Sequence, residues 1–197
     1  MPKVGMEPIR RDALVRATIA EIGAAGTLDV TVSQIARRAG MSSGLAHHYF
    51  GGKDQIFRAA MLHILRGFGA EVVAGLRAAR APRARAEALI EASFAPSCFD
   101  PATVGAWMTL YAQAATHPET NRLLRLYQRR LHANLRHALR PLSRDAGADA
   151  QMLGALIDGL YLRAALGGGV SADAAKDVAH RALGQLIGEQ ALADPTS

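Results

Sequence analysis

Apolar residues recur along this chain at three- and four-residue spacing, the period that gathers them on one face of an α-helix. Val15, Ile19 and Ile22 form the first such stripe, in a segment that Pro8 can open and Gly26 can close. Thr31 and Gln34 have the spacing of a capping box and predict a short helix through Ala39, ended by Gly40. Ser42 can cap a third short helix through Tyr49, which Gly51 and Gly52 break. A long helix then starts near Asp54, carries Ile56, Phe57, Ala60, Ile64, Phe68 and Val72 on its stripe, and frays around Pro82. Further helices are predicted over residues 83–95, from an Asp100 cap through Thr116, from Pro118 toward Leu139, over 148–166, and over 172–190 behind a Ser171 cap. No segment alternates with the period of a strand.

Composition supports an all-α fold of about nine helices. Alanine, which enters a helix at the least cost, supplies 40 of the 197 residues, while aromatics make up 5%. Half of the residues are apolar, enough to bury a core and to exclude a disordered chain. Cys98 stands alone, which excludes an internal disulfide and a multi-cysteine zinc site; it reads as an inert buried thiol in a reducing cytoplasm. The opening residues lack an apolar signal core. The longest uncharged run, 101–118, is interrupted by threonines, Gln113 and His117, so it predicts a buried helix and no membrane partner. The net charge of +6 comes mainly from arginine, whose planar fork suits phosphate, and makes nucleic acid a plausible partner. A Gly-rich nucleotide loop, a paired-carboxylate motif and a metal-spaced ligand cluster are all missing, so the expectation is no enzyme, no cofactor and no metal.

Two short helices around a glycine turn describe a helix-turn-helix, whose second helix enters the major groove with its N-terminus leading. Small polar residues are needed there, and Ser42, Ser43 and Gly44 meet that need. Gly44 costs a helix about 1 kcal/mol relative to alanine, a cost that the close approach of DNA would explain. Ile35, Ala36, Ala39, Leu45 and Phe50 are the expected packing residues of the motif. His47, His48 and Tyr49 can reach phosphates or base edges from the far end of the reading helix. Lys53 brings an ammonium to the free N–H groups at the start of the next helix. Bland readings stand beside these: Gln34 can serve its capping box alone, Tyr49 can be half core, and Arg37 or Arg38 can be merely solvated.

The run from Thr31 through Gly40, Met41 through Phe50 and Gly51 through Phe57 resembles the DNA-binding signature of the TetR family of repressors. The resemblance implies a three-helix DNA-binding head over residues 1–53 and a ligand-binding and dimerisation domain over 54–190. It places Gln34, Ser43, Gly44 and His47 near base edges and Ser42, His48, Tyr49 and Lys53 at phosphates; Thr31 is counted with them as a DNA-binding residue. His47 departs from the family, which usually has an aromatic residue there. The implied partners are double-stranded operator DNA, a second copy of the chain and a small-molecule effector.

Trp107 and Tyr111 are four apart, and Asp158 and Tyr161 three apart, so each pair shares a helix face. An aromatic wall with one carboxylate suits a quaternary ammonium, which has no N–H and is held by ring faces and Coulomb attraction. The same residues can equally be core, and Asp158 can pair with Arg163 or with the seven arginines of 122–144, which read as the solvated face of an amphipathic helix. The segments Ala106-Trp-Met-Thr-Leu-Tyr111, Arg129-Arg130 and Leu156-Ile-Asp-Gly-Leu-Tyr-Leu-Arg-Ala-Ala-Leu166, with the start Met1–Met6 and Ile9-Arg-Arg11, resemble choline-responsive repressors of glycine betaine synthesis genes. That resemblance implies repression relieved by choline or betaine aldehyde, with Trp107, Tyr111, Asp158 and Tyr161 as pocket residues and Phe94 and Tyr127 as further candidates. The alternative is a repressor of the same family that senses a more lipophilic molecule.

Overall fold

The computed structural model describes residues 5–188, and all regular structure within them is helical. Helix α1, Met6–Ala25, starts two residues before Pro8; the first-turn N–H groups of a helix have no partner, so proline is tolerated there. It ends where Gly26 turns left-handed at φ 63° and returns its N–H to the Ile22 carbonyl. Helices α2, Val32–Arg38, and α3, Ser43–Phe50, follow, then α4, Lys53–Ala78, and α5, Pro82–Ser93. The second half of the chain forms α6, Pro101–Ala114, α7, Pro118–Leu139, α8, Ala146–Ala165, and α9, Ala172–Leu186.

Cap chemistry sets most of these boundaries. Asp100 accepts from the N–H groups of Ala102 and Thr103, and Ser171 from that of Ala174, as their positions predict. Helix α8 begins two residues earlier than its apolar pattern indicates, because Asp145 caps it through Gly147 and Ala148. Helix α9 stops at Leu186, and the expected end at Gln190, like the end of the 54–190 domain, lies outside the described residues.

The chain divides into two compact units, each discontinuous in sequence: residues up to Arg66 with Asp100–Leu124, and Gly67–Phe99 with the residues from Arg125 on. The first unit centres on Leu14, Ile22, Ile35, Ile56, Met61 and Leu110, all buried. Its most extensive helix pair is α1 against α6, where the backbones nearly touch: a Cβ added at Gly23 would lie 2.4 Å from the Ala102 carbonyl oxygen. The second unit centres on Leu89, Ile90, Phe94, Leu135, Leu139 and Leu153. Helices α4 and α7 each contribute one part to either unit. Among the described residues α4 is long and apolar enough to cross a bilayer by length and composition; it carries Arg58, Arg66 and Glu71 and buries Ile56, Phe57, Ala60 and Met61 in the first unit.

Candidate nucleic-acid interface and ligand site

The head is built by local chemistry. Thr31 Oγ1 accepts from the Gln34 N–H at 3.2 Å, and Gln34 Oε1 accepts from the Thr31 N–H at 2.6 Å and its hydroxyl at 2.9 Å, so the capping box is complete. Gly40 takes φ 68° in the turn, and the Met41 N–H closes onto the Ala36 carbonyl at 2.9 Å. Ser42 caps α3 by accepting from the Leu45 N–H at 3.2 Å, which leaves its own proton available to an acceptor. Ile35, Ala36 and Phe50 are buried as expected; Ala39 and Leu45 are half-buried, and Ala46 fills the contact instead. A hydroxyl bridge at 3.2 Å joins Ser33 of α2 to Ser43 of α3.

One functional contributor escapes local reading. The Arg11 guanidinium of α1 donates to the Tyr49 carbonyl and lies 4.5 Å over the Phe50 ring, so it holds the C-terminal end of α3 by charge, hydrogen bond and cation–π contact together. A basic residue suited to a helix C-terminus is the available signal, but nothing in sequence says which helix it serves. Arg38 pairs with Glu21 at 2.6 Å, tying α2 to α1, while Arg37 is exposed. At the outer face Ser42, Gly44, His47, His48 and Lys53 are exposed and Gln34, Ser43 and Tyr49 half-buried. His48 and Tyr49 stack obliquely, with ring centroids 5.5 Å apart. Beyond its chain neighbours and its own helix backbone, no described atom lies within 4 Å of a Cβ built at Gly44, so its missing side chain makes no room for another element.

The six expected pocket residues divide between the units. Trp107 and Tyr111 belong to the first, both on α6, with ring centroids 6.0 Å apart and edge-on at 69°. In the second unit Tyr127 of α7 donates its hydroxyl to Asp158 of α8 at 3.2 Å, and both line a groove of about 430 Å3 with Gln128, His132 and Gln151. Phe94 and Tyr161 are buried and stacked at 5.8 Å, each in edge contact with Phe99. The Tyr161 hydroxyl donates to the backbone carbonyls of Ser93 and Cys98, which anchors α8 to the end of α5. Thus Asp158 meets Tyr127, and Tyr161 meets Phe94, although the sequence pairs Asp158 with Tyr161.

Known proteins supply an independent measure. The signature of bacterial regulatory proteins of the TetR family matches residues 14–60, and that of the BetI-type transcriptional repressor, C-terminal part, matches residues 82–188. The HTH-type transcriptional regulator BetI of Brucella suis is 49% identical over 181 residues, 91% of each chain. The chain belongs to the BetI-type transcriptional repressors of the TetR family. A BetI regulator of Rhizobium meliloti is 49% identical over 168 residues, 84% of this chain and 83% of its own. Among solved structures, a TetR transcription regulator of Haloarcula marismortui superposes with a TM-score of 0.79 at 19% identity, covering 91% of this chain and 98% of that one. A transcriptional regulator of Saccharomonospora viridis, crystallised in complex with choline, does so with a TM-score of 0.74 at 21% identity, covering 87% and 93%. These two share the fold. The BetI-type repressor is thus a DNA-binding transcription regulator and not an enzyme.

Proposed function

We propose that this BetI-type repressor controls genes of choline uptake and glycine betaine synthesis, acts in the cytoplasm as a homodimer, and leaves its operator when choline or betaine aldehyde binds. The observation that carries the effector is the meeting of Asp158 with Tyr127: a carboxylate and an aromatic ring share one groove, the chemistry a quaternary ammonium needs. We assign the cation's anchor to that pair and keep Trp107, Tyr111, Phe94 and Tyr161 as candidate pocket residues. The choline complex of the S. viridis regulator, on the same fold, supports the ligand class. With so few heavy atoms, at about 1.5 kcal/mol each, choline has a ceiling near ~10 kcal/mol of binding energy.

For DNA, residues 1–53 serve as the reading head and 54–190 as the receiver. Ser43, Gly44, His47 and Gln34 face base edges; Ser42, His48, Tyr49 and Lys53 take phosphates, with Thr31 at the margin. A head held by Arg11 presents α3 rigidly, and two heads grip adjacent turns of duplex when about 34 Å apart. Met152 and Leu162 of α8, 55% and 50% exposed, are the apolar surface assigned to the second copy. Helix α4 starts at Lys53 and continues into the receiver, so ligand binding there can alter the spacing or mobility of the heads.

A mobility-shift assay with DNA upstream of the protein's own gene tests this reading. Choline or betaine aldehyde should release the complex, and Asp158→Asn should bind operator normally but resist release. Trp107 is the sole tryptophan, so its emission should change on titration if the ligand reaches the first unit. An operator complex indifferent to both compounds, with no heat in calorimetry, would remove the cationic effector in favour of a different inducer.

A further inference from the structure

The turn joining α7 to α8 forms a second groove, of about 630 Å3, within the second unit. Arg136, Arg140 and Arg144 line it with His132 and His137, against a single lining carboxylate, Asp145. The backbone explains why the three arginines converge. Arg140 is one helical turn beyond Arg136 and donates its N–H to the Arg136 carbonyl at 3.0 Å, so the two share a face. The chain then turns as the N–H groups of Leu142 and Ser143 both close onto the Leu139 carbonyl, which brings Arg144 back to the same hollow.

The nearby carboxylates are committed elsewhere. Asp145 Oδ1 accepts from the N–H groups of Gly147 at 3.1 Å and Ala148 at 3.0 Å, capping α8. Asp149 accepts the Ser143 hydroxyl proton, and the Ser143 oxygen accepts from the Asp145 N–H at 3.0 Å. Among the described residues no carboxylate forms an ion pair with Arg136, Arg140 or Arg144. Three cations thus share a concave surface whose single lining carboxylate, Asp145, forms an ion pair with none of them. Such a surface concentrates anions, and each guanidinium fork can take two phosphate oxygens.

We propose that this groove at the α7–α8 turn binds a compact anion carrying two or more linked phosphate groups, such as a diphosphate-bearing metabolite. A single phosphate satisfies one or two forks and leaves the third cation uncompensated. The volume is that of a small-molecule pocket, and the arginines face a hollow rather than crown a ridge. The groove shares His132 with the Asp158 groove but has a lining of opposite charge preference, so its anion is distinct from the cationic effector proposed there.

Calorimetric titration of the full-length protein with inorganic pyrophosphate at low ionic strength is the test. One site per chain is expected, with orthophosphate at least tenfold weaker. The double variant Arg140→Gln/Arg144→Gln should lose at least tenfold for pyrophosphate, and Arg140→Lys, which keeps the charge without the fork, should fall between. These residues are exposed, so the variants should keep wild-type helicity and operator affinity. Lys53→Ala should bind pyrophosphate as the wild type does. The proposal is overturned if pyrophosphate gives no binding, if the double variant binds it unchanged, or if Lys53→Ala loses it, which would put the anion on the head. A double variant that loses operator DNA as strongly as pyrophosphate would assign the groove to duplex phosphates and overturn it equally.

Discussion

Gly44 stands at the second position of α3, where alanine would be favoured by up to about 1 kcal/mol. Since no other described element approaches its vacant Cβ position, Gly44→Ala should raise the melting temperature while weakening operator binding, as thermal unfolding and a shift assay would show. A stabilised protein with undiminished operator affinity would take Gly44 out of the interface. Lys53 is exposed at the first turn of α4, where its ammonium and the free N–H groups favour an anion. Lys53→Ala should weaken operator and random DNA alike and flatten the salt dependence by about one unit per subunit. A loss confined to operator DNA would contradict a phosphate role. The residues of the head were readable because the motif is contiguous: caps, turn and reading helix all fall between Thr31 and Lys53. Arg11 was not, because its target carbonyl lies 38 positions away.

Helices announce themselves through periodicity and caps, and where the two differ the cap sets the boundary. The apolar pattern starts α8 two residues late because Ala146 and Gly147 carry no apolar period; the cap that places the start comes from Asp145. The contact between α1 and α6 is invisible to any local pattern, for it depends on Gly23 and Ala102 meeting backbone to backbone. Gly23→Ala should therefore destabilise the fold by about 1–3 kcal/mol in chemical denaturation, as overpacking does. A second tie, between α5 and α9, is electrostatic: Glu91 pairs with Lys176 at 3.0 Å and His180 at 2.8 Å. Burial pushes the Glu91 carboxyl up, but the hydrogen bonds and charges of His180 and Lys176 outweigh it and hold the group below its ordinary value. A lowered folded value means that the stability is complete above the ordinary carboxylate value of 4.5 and is lost as pH falls through the folded one. Wild type should accordingly exceed Glu91→Gln at neutral pH by less than about 1 kcal/mol, because the carboxylate is half exposed, and the gap should close in acid. A gap that persists below pH ~3 would show packing, not charge, at that site.

At the scale of the molecule, the all-helical architecture was legible because it sums many local signals, whereas the proposed effector site rests in sequence on residue types alone. Asp158 and Tyr127 are 31 positions apart, and only the packing of α7 on α8 brings them together. If choline and operator compete through the two forms of a dimer, thermodynamic linkage makes the effect reciprocal. The factor by which saturating choline weakens operator binding should equal the factor by which operator DNA weakens choline binding, both measured at equilibrium; unequal factors would exclude a closed two-ligand cycle. The interleaved order of the two units also bears on how the chain is made. Helix α1 finds its main packing partner only in α6, which is translated after α5 and all of α4. On the ribosome, then, the nascent reading head waits with one flank uncovered until the segment from Asp100 to Leu124 has emerged, and a gene fragment stopped at residue 53 would encode a head lacking that cover.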